Sequence, residues 1–207
     1  QAWKTMPAHR YLGNALLSML TKIASGYWHV ADSQSGFISI STDALRLLDL
    51  KALYPRYGYP NDLLVRMNVF DLRVAQVPTR PVARLGGRSK MNLLRVIPTI
   101  AWLIFRRFCW RLWVKYVVHD FHPLVLFYGS SALLGLASVG LFVRMIWMWA
   151  VTGRIPPINT IAWVFCAISS TQLGLFAMWF DMETNRDLKV RVPRLRGMQS
   201  QGDAPLT

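Results

Sequence analysis

The chain has 207 residues and a formal net charge of +14, and 53% of its residues are hydrophobic. This apolar share is high for a water-soluble domain. The net charge, in contrast, is too large for a chain that lies wholly within a membrane or a protein core. The cations cluster beside two long apolar segments and are interleaved with Trp, Phe and Leu, without a nucleic-acid-binding motif. The pattern favours a membrane over a nucleic acid as the partner of the basic residues.

Helical periodicity dominates the first part of the chain. Apolar residues spaced three and four apart over residues 10–24 predict an amphipathic helix that ends at Gly26. Ser41 or Thr42 is a candidate start for a short helix, and residues 61–69 predict a further helix.

Two segments of the same region alternate in the manner of strands, at residues 37–40 and 71–77. Helices and strands in alternation predict an α/β layer, but a parallel sheet needs crossover partners that this chain does not contain. We therefore expect the remaining strands to lie upstream of Gln1. Two interpretations stay open: the chain is a segment of a longer protein, or it is a truncated product.

Residues 84–119 are basic and aromatic at once and contain no Asp or Glu. At their start, residues 84–90 (RLGGRSK) form a cationic loop whose paired glycines let backbone amides approach an anion. Residues 91–118 then predict one or two amphipathic helices at the membrane interface, broken or kinked near Pro98.

Three cations of this stretch recur at four-residue intervals and so share one helical face. They are Arg107, Arg111 and Lys115. We expect this face to contact anionic lipid.

Two segments, residues 123–143 and 158–180, are apolar for about the ~20 residues that a membrane-spanning helix needs. A short polar turn (TGRIPP) separates them, and basic residues flank the pair on both outer sides. These features predict a two-span hairpin with both flanks in the cytoplasm. The tail beyond Gly197 has no periodicity and is expected to be disordered.

The conspicuous polar residues fall in three short segments. They are Asp32, Gln34 and Ser35 in DSQSG, Asn61 and Asp62 in YPNDLL, and Arg84, Arg88, Ser89 and Lys90 in the cationic loop. The bare pattern leaves two interpretations open. Asp32 and Asp62 are either local caps of a loop and a helix, or carboxylates that act as a general base beside a phosphate cradle.

A resemblance bears on that choice. Over residues 6–189, the segments PAHRYLGNALLSMLTKIASGYW, DSQSGF, LYPRYGYPNDLLVRMN, RVAQVPTR, GRSKM, DFHPLVLFYG and LFAMWFDMETNRDL occur in this order. The chain resembles the C-terminal half of membrane-bound family 2 glycosyltransferases. More narrowly, it is similar to bacterial dolichol-phosphate mannose synthase-like polyprenyl-phosphate glycosyltransferases.

The resemblance implies α/β plus transmembrane α architecture: part of a GT-A (Rossmann-like) domain over residues 1–90, interfacial helices over 91–120, a two-helix transmembrane hairpin over 121–183 and a basic, partly disordered cytoplasmic tail over 184–207. It implies an inverting transferase that moves a sugar from a nucleotide-diphosphate donor to a polyprenyl phosphate, in the bacterial inner membrane. A second copy of the chain is a further candidate partner, in a homo-oligomer.

The same resemblance assigns roles to residues. Asp62 would orient the acceptor or the sugar, or act as the base if the acceptor were a hydroxyl. The loop with Asp32, Gln34 and Ser35 would border the sugar and acceptor pocket, beside Asn61. Ser89 and the loop cations Arg84, Arg88 and Lys90 would bind phosphate groups.

No Asp-x-Asp occurs in the chain, although the family uses this motif to hold a divalent cation (Mg or Mn) and the nucleotide. We therefore expect the metal ligands to lie outside this chain, and the chain alone to be inactive. The alternative function is a non-catalytic membrane anchor or assembly subunit that binds lipid phosphate or a partner protein. A two-span transporter component is a third, weaker hypothesis.

Overall fold

The computed structural model describes residues 8–31, 33, 37–55, 58–77 and 93–190. Six α-helices run through this part of the chain: α1 (Ala8–Ser25), α2 (Thr42–Leu47), α3 (Tyr59–Val69), α4 (Leu93–Trp113), α5 (Leu124–Thr152) and α6 (Pro157–Thr184). Shorter helical turns occur at Leu50–Ala52 and Arg186–Leu188, and α4 continues directly into a π-helical turn at Val114–His119.

The predicted α/β fold is wrong for the described residues, which form no sheet. Residues 37–40 are irregular and mostly exposed. Residues 71–77 are largely extended, and Val74 makes an isolated β-bridge to Lys189. Alternating side chains show which residues face a partner surface, but they do not supply the neighbouring strand that a sheet requires.

The extended segment at residues 71–77 is held mainly by the chain that follows α1. The Tyr27 hydroxyl donates to the Leu72 carbonyl, and His29 Nε2 lies 3.0 Å from the Val74 carbonyl oxygen. The Ala31 amide donates to Gln76 Oε1 at 2.9 Å. Every second residue of the segment is therefore held, which accounts for its alternating pattern without a sheet.

Helices α1, α3 and α4 pack together into one helical layer. Its buried core consists of Leu17, Ala24, Val65, Ile100 and Ile104, with Leu20, Phe108 and Trp110 packed against it. Burial of this apolar surface stabilises the layer at roughly 25 cal/mol per Å². The layer fixes the faces of α3 and α4 that carry the polar residues described below.

Local signals set several helix ends as predicted. Gly26 ends α1 at a φ of +73°, and its amide donates to the Lys22 carbonyl at 2.9 Å. Ser41 caps α2, because its hydroxyl accepts from the Ala44 amide. In contrast, α4 runs without a break through Pro98, which lies near its first turn.

Helices α5 and α6 form an antiparallel hairpin, and Gly153 ends α5 at a φ of +67°. Both helices are long and apolar enough to cross a membrane, and few of their residues are buried within the chain. At 29 and 28 residues they exceed the ~20 that the hydrocarbon core of a bilayer requires.

The hairpin is joined by a reciprocal contact between two serines. Ser131 Oγ donates to the Ser170 carbonyl, and Ser170 Oγ donates to the Ser131 carbonyl, each at 2.8 Å. Gly135 and Gly174 lie beside these hydroxyls, where an added Cβ would come within 3.0 Å of the opposite serine. Small residues thus let the two backbones approach closely enough to exchange hydrogen bonds.

Candidate functional site: a buried carboxylate between two arginines

Asp62 lies in the first turn of α3 and is buried. Arg107 Nε, from α4, lies 2.6 Å from Asp62 Oδ1, and its Nη2 donates to Oδ2 at 3.1 Å. Arg66, one turn further along α3, donates from Nε to Oδ1 at 3.3 Å. The backbone amide of Tyr54 donates to Oδ2 at 2.8 Å. Both oxygens of this carboxylate are therefore engaged, and its negative charge is matched by two guanidinium groups.

The two arginines are held on more than one side. Arg66 Nη2 donates to the Ala52 carbonyl at 2.6 Å. The guanidinium carbons of Arg66 and Arg107 lie 5.6 and 5.7 Å from the ring centroid of Trp110, within the range of a cation–π interaction. The Arg66 and Arg107 side chains are 12% and 19% exposed, so each remains accessible at its edge.

Two of the predicted site residues, Asn61 and Asp62, are adjacent and buried at the start of α3. Asn61 Oδ1 accepts a hydrogen bond from Thr21 of α1 at 3.1 Å. The other predicted site residues lie outside the described part of the chain. They are Asp32, Gln34, Ser35, Arg84, Arg88, Ser89 and Lys90.

The predicted lipid-facing row on α4 is wrong. Arg107 pairs with Asp62, Arg111 is 0% exposed, and Lys115 is buried. The sequence around these cations contains no acidic residue, but the fold brings carboxylates to them from α3, from the turn after α3 and from α6. The four-residue spacing does place the cations on one face, and that face points into the protein.

Arg111 and Asp181 are the centre of a second buried cluster. Arg111 Nη1 and Nη2 donate to Asp181 Oδ1 and Oδ2 at 3.0 and 2.9 Å. Nη1 also donates to Asn68 Oδ1 at 3.2 Å, and Nη2 to the Ile23 carbonyl at 3.1 Å. The Tyr116 hydroxyl donates to Asp181 Oδ1 at 2.7 Å. This cluster connects the end of α6 to α1, α3 and α4.

Lys115 extends the cluster towards the surface. Its ammonium group donates to Asp71 Oδ1 at 2.6 Å, to the Asn68 carbonyl at 3.0 Å and to Asn185 Oδ1 at 3.0 Å. Burial lowers the pKa of Lys115, although Asp71 acts in the opposite direction. Burial also raises the pKa of Tyr116, so its hydroxyl stays protonated and donates to Asp181.

The described residues do not form a site for a divalent cation. No three His, Cys, Asp or Glu side chains come together in the described ranges. The oxygens of Asp62 are occupied by two guanidinium groups and a backbone amide, which repel or exclude a metal ion. The chemistry that this cluster offers is anion binding by oriented guanidinium groups.

The sequence indicated Asp62 as a candidate site residue, but it did not indicate most of the residues that contact it. Arg66 lies four residues after Asp62, a spacing that predicts a pair on one helical face once the face is known to point inward. Arg107, Trp110 and the Tyr54 amide come from other segments, and no local pattern indicates that they surround Asp62 and its arginines.

Comparison with known proteins gives a distant similarity to a sugar transferase. The UDP-N-acetylglucosamine--dolichyl-phosphate N-acetylglucosaminyltransferase of Methanococcus voltae is 32% identical over 80 residues. The match covers 39% of this chain and about a third (32%) of the length of this relative. No family model and no solved structure matches the chain. The similarity relates the chain to polyprenyl-phosphate sugar transferases, and with the two apolar helices it suggests a membrane protein.

Proposed function

We propose that the chain is the acceptor-side and membrane-anchoring part of a glycosyltransferase that moves a sugar from a nucleotide-diphosphate donor to a polyprenyl phosphate. The relative in Methanococcus voltae is by its name a transferase of this kind. The proposal follows that similarity and the arrangement of charged residues at the start of α3.

The observation that carries the proposal is the position of Arg66 and Arg107 beside Asp62. The contacts with Asp62 and the Ala52 carbonyl use Nε and Nη2 of each guanidinium group, so Nη1 of each arginine is left to donate to a phosphate. Both groups are oriented before any ligand arrives. Arg107 precedes Arg111 by one helical turn, about 6 Å along α4, and Arg111 pairs with Asp181 near the end of α6. Arg66 and Arg107 therefore lie close to the level at which α6 leaves the membrane. We expect the phosphate of a lipid acceptor at this level.

Asp62 has a positioning role in this proposal. Its side chain is 0% exposed and both of its oxygens already accept hydrogen bonds, so it is poorly placed to take a proton from a substrate. A phosphate acceptor is already anionic near neutral pH and needs little help from a base. Asp62 instead holds the two guanidinium groups in the orientation that binds the acceptor.

Residues and partners beyond this cluster complete the proposed site. The cationic loop binds phosphate through Arg84, Arg88, Ser89 and Lys90, and the pocket for the sugar is bordered by Asp32, Gln34, Ser35 and Asn61. A divalent cation accompanies the donor in the complete enzyme. In this proposal both flanks of the hairpin lie on the cytoplasmic side of a bacterial inner membrane, which the flanking cations favour.

A binding experiment tests the acceptor site. The purified chain in nanodiscs is titrated with undecaprenyl phosphate and, in parallel, with undecaprenol, which lacks the phosphate. We expect the phosphate to be required, and Arg107→Gln to weaken binding by about ten- to a hundredfold, the loss of a charge-assisted hydrogen bond. Arg46→Gln is the matched control, because Arg46 is a 78% exposed arginine whose ion pair within the described chain is with Asp43. Equal binding of the alcohol and the phosphate would refute the site.

A second measurement separates the enzyme from the alternative, a non-catalytic anchor or assembly subunit. The buried Arg111–Asp181 cluster favours anchoring in either case, because it joins the helical layer to the hairpin. Membranes that carry the product of the native gene are incubated with labelled nucleotide sugars and undecaprenyl phosphate. Formation of a glycosylated lipid phosphate supports the enzyme. Binding of the lipid without any transfer would assign the anchoring function.

A further inference from the structure

A basic cavity opens at the end of α6, on a part of the surface that the proposed acceptor site does not use. Its lining residues are Arg73, Arg186, Asp187 and Lys189. All four are exposed, and three of them are cationic.

The backbone around this cavity is fixed by contacts on both sides. The Val74 amide donates to the Leu188 carbonyl at 3.0 Å, and the Val190 amide donates to the Val74 carbonyl at 3.2 Å. Leu188 is buried in one cluster with Tyr27 and Val30. The segment with Arg73 is thus joined to the segment with Arg186 and Lys189 by main-chain hydrogen bonds. These bonds hold the backbone positions of the three cationic residues relative to one another.

The charges in the cavity are only partly compensated. Arg186 pairs with Glu183 at 3.1 Å, in a contact where both side chains are more than half exposed. Neither Arg73 nor Lys189 forms an ion pair with any carboxylate in the described ranges. Asp187 is the one carboxylate of the lining, so three cations and one anion leave a net charge of +2. This excess of positive charge favours an anionic ligand.

The position of the cavity indicates where that ligand comes from. The lipid-facing surface of α6 ends in Trp179, which is 57% exposed, and Phe180. Exposed tryptophans mark the level of the lipid headgroups in membrane proteins. Arg186 follows seven residues after Trp179, about 10 Å along the chain if it were all helical. The cavity therefore lies on the aqueous side of the level of Trp179, where long cationic side chains can reach back to a headgroup phosphate.

We propose that Arg73, Arg186 and Lys189 bind the phosphate of an anionic phospholipid at the membrane surface. The sequence pattern assigned contact with anionic lipid to the row of cations on α4, but those cations pair with carboxylates inside the protein. In this proposal Arg73, Arg186 and Lys189 make that contact instead. It is separate from sugar transfer, because none of its residues contacts Asp62, Arg66 or Arg107 within the described chain.

Native mass spectrometry of the purified chain tests the site. The chain in detergent is titrated with phosphatidylglycerol, with phosphatidylcholine and with inorganic phosphate. We expect phosphatidylglycerol to bind more tightly than phosphatidylcholine. Arg73→Gln and Lys189→Gln together should weaken phosphatidylglycerol binding about 25-fold, at about fivefold for each cation near an anionic surface.

Two variants make the result specific. Arg73→Lys with Lys189→Arg keeps both charges and should retain binding, whereas Arg154→Gln removes an exposed cation at the opposite end of the hairpin and should change nothing. Equal affinity for the two phospholipids, an equal loss with Arg154→Gln, or binding of inorganic phosphate as tight as that of the lipid would overturn the proposal. A failure here leaves the undecaprenyl phosphate experiment unaffected, because that experiment depends on Arg107.

Discussion

Arg111 and Asp181 form a two-point ion pair in which neither side chain is exposed to solvent. The arginine belongs to α4 and the aspartate to the last turns of α6, so the pair joins the helical layer to the apolar hairpin. Burial of two charges is costly unless their hydrogen bonds are satisfied. Here Asn68, Tyr116 and the Ile23 carbonyl supply further partners.

Removal of one partner should be strongly destabilising. In Arg111→Met, the Asp181 carboxylate stays buried without its counter-charge, and we expect the free energy of unfolding to fall by about 3–5 kcal/mol. Unfolding by SDS in mixed micelles, followed by circular dichroism, measures the change. The double variant Arg111→Met with Asp181→Leu should recover much of the loss, since no charge is left unpaired. A double variant as unstable as the single one would show that the pair itself provides the stability.

Gly26 is required by conformation and by space. It has a φ of +73°, and a Cβ there would overlap Arg111 Nη1 and lie 2.9 Å from Asn185 Nδ2. Gly153 is the matched control, with a φ of +67° and no described atom within 4 Å of an added Cβ. We expect Gly153→Ala to cost about 1–2 kcal/mol from backbone strain alone. Gly26→Ala should cost clearly more, because it also displaces the guanidinium from Asp181. Equal losses in the SDS titration would exclude that contribution.

The lowered pKa of His29 predicts that the stability of the folded chain depends on pH. Burial lowers this pKa below 6.5, and the nearby charge of Lys189 acts in the same direction, while the hydrogen bond to the Val74 carbonyl opposes both. Between the lowered pKa and 6.5, the unfolded chain binds a proton that the folded chain does not. The contribution of His29 to stability is therefore complete above pH 6.5 and is lost as the pH falls below it.

Thermal midpoints measured from pH 8 to pH 5 test this dependence. Other groups also titrate in acid, so the informative quantity is the difference between the native chain and His29→Gln at each pH. We expect the native chain to lose more stability than the variant below pH 6.5. Parallel curves over the whole range would contradict the prediction.

The serine pair of the hairpin predicts that alanine substitutions at two glycines differ in their effect on stability. A Cβ at Gly174 would lie 3.0 Å from Ser131 Oγ, whereas a Cβ at Gly140 would meet no described atom within 4 Å. Gly174→Ala should weaken the hydrogen bond from Ser131 to Ser170 and cost about 1 kcal/mol relative to Gly140→Ala. Gly140→Ala should be neutral or slightly stabilising, because alanine favours helix. Identical SDS midpoints for the two variants would show that α5 and α6 do not depend on this close approach.

The elements with local causes could be predicted from the sequence. Periodic leucines and Gly26 defined α1, Ser41 defined the start of α2, and continuous apolar composition defined the two helices of the hairpin. It also placed Asp62 in the first turn of a helix. Each of these features depends on residues within a few positions of one another, so periodicity and capping chemistry are sufficient to predict them.

Contacts between distant residues depend on the tertiary fold and could not be predicted from local patterns. The alternation at residues 71–77 predicted a strand, but its partners are groups after α1 and a β-bridge to Lys189. The spacing of Arg107, Arg111 and Lys115 defined a face, but not the environment of that face. Their carboxylate partners lie 44 to 70 residues away in the chain. Local sequence carries no information about such distant pairs, so a row of cations that suggests a membrane surface is instead neutralised within the protein.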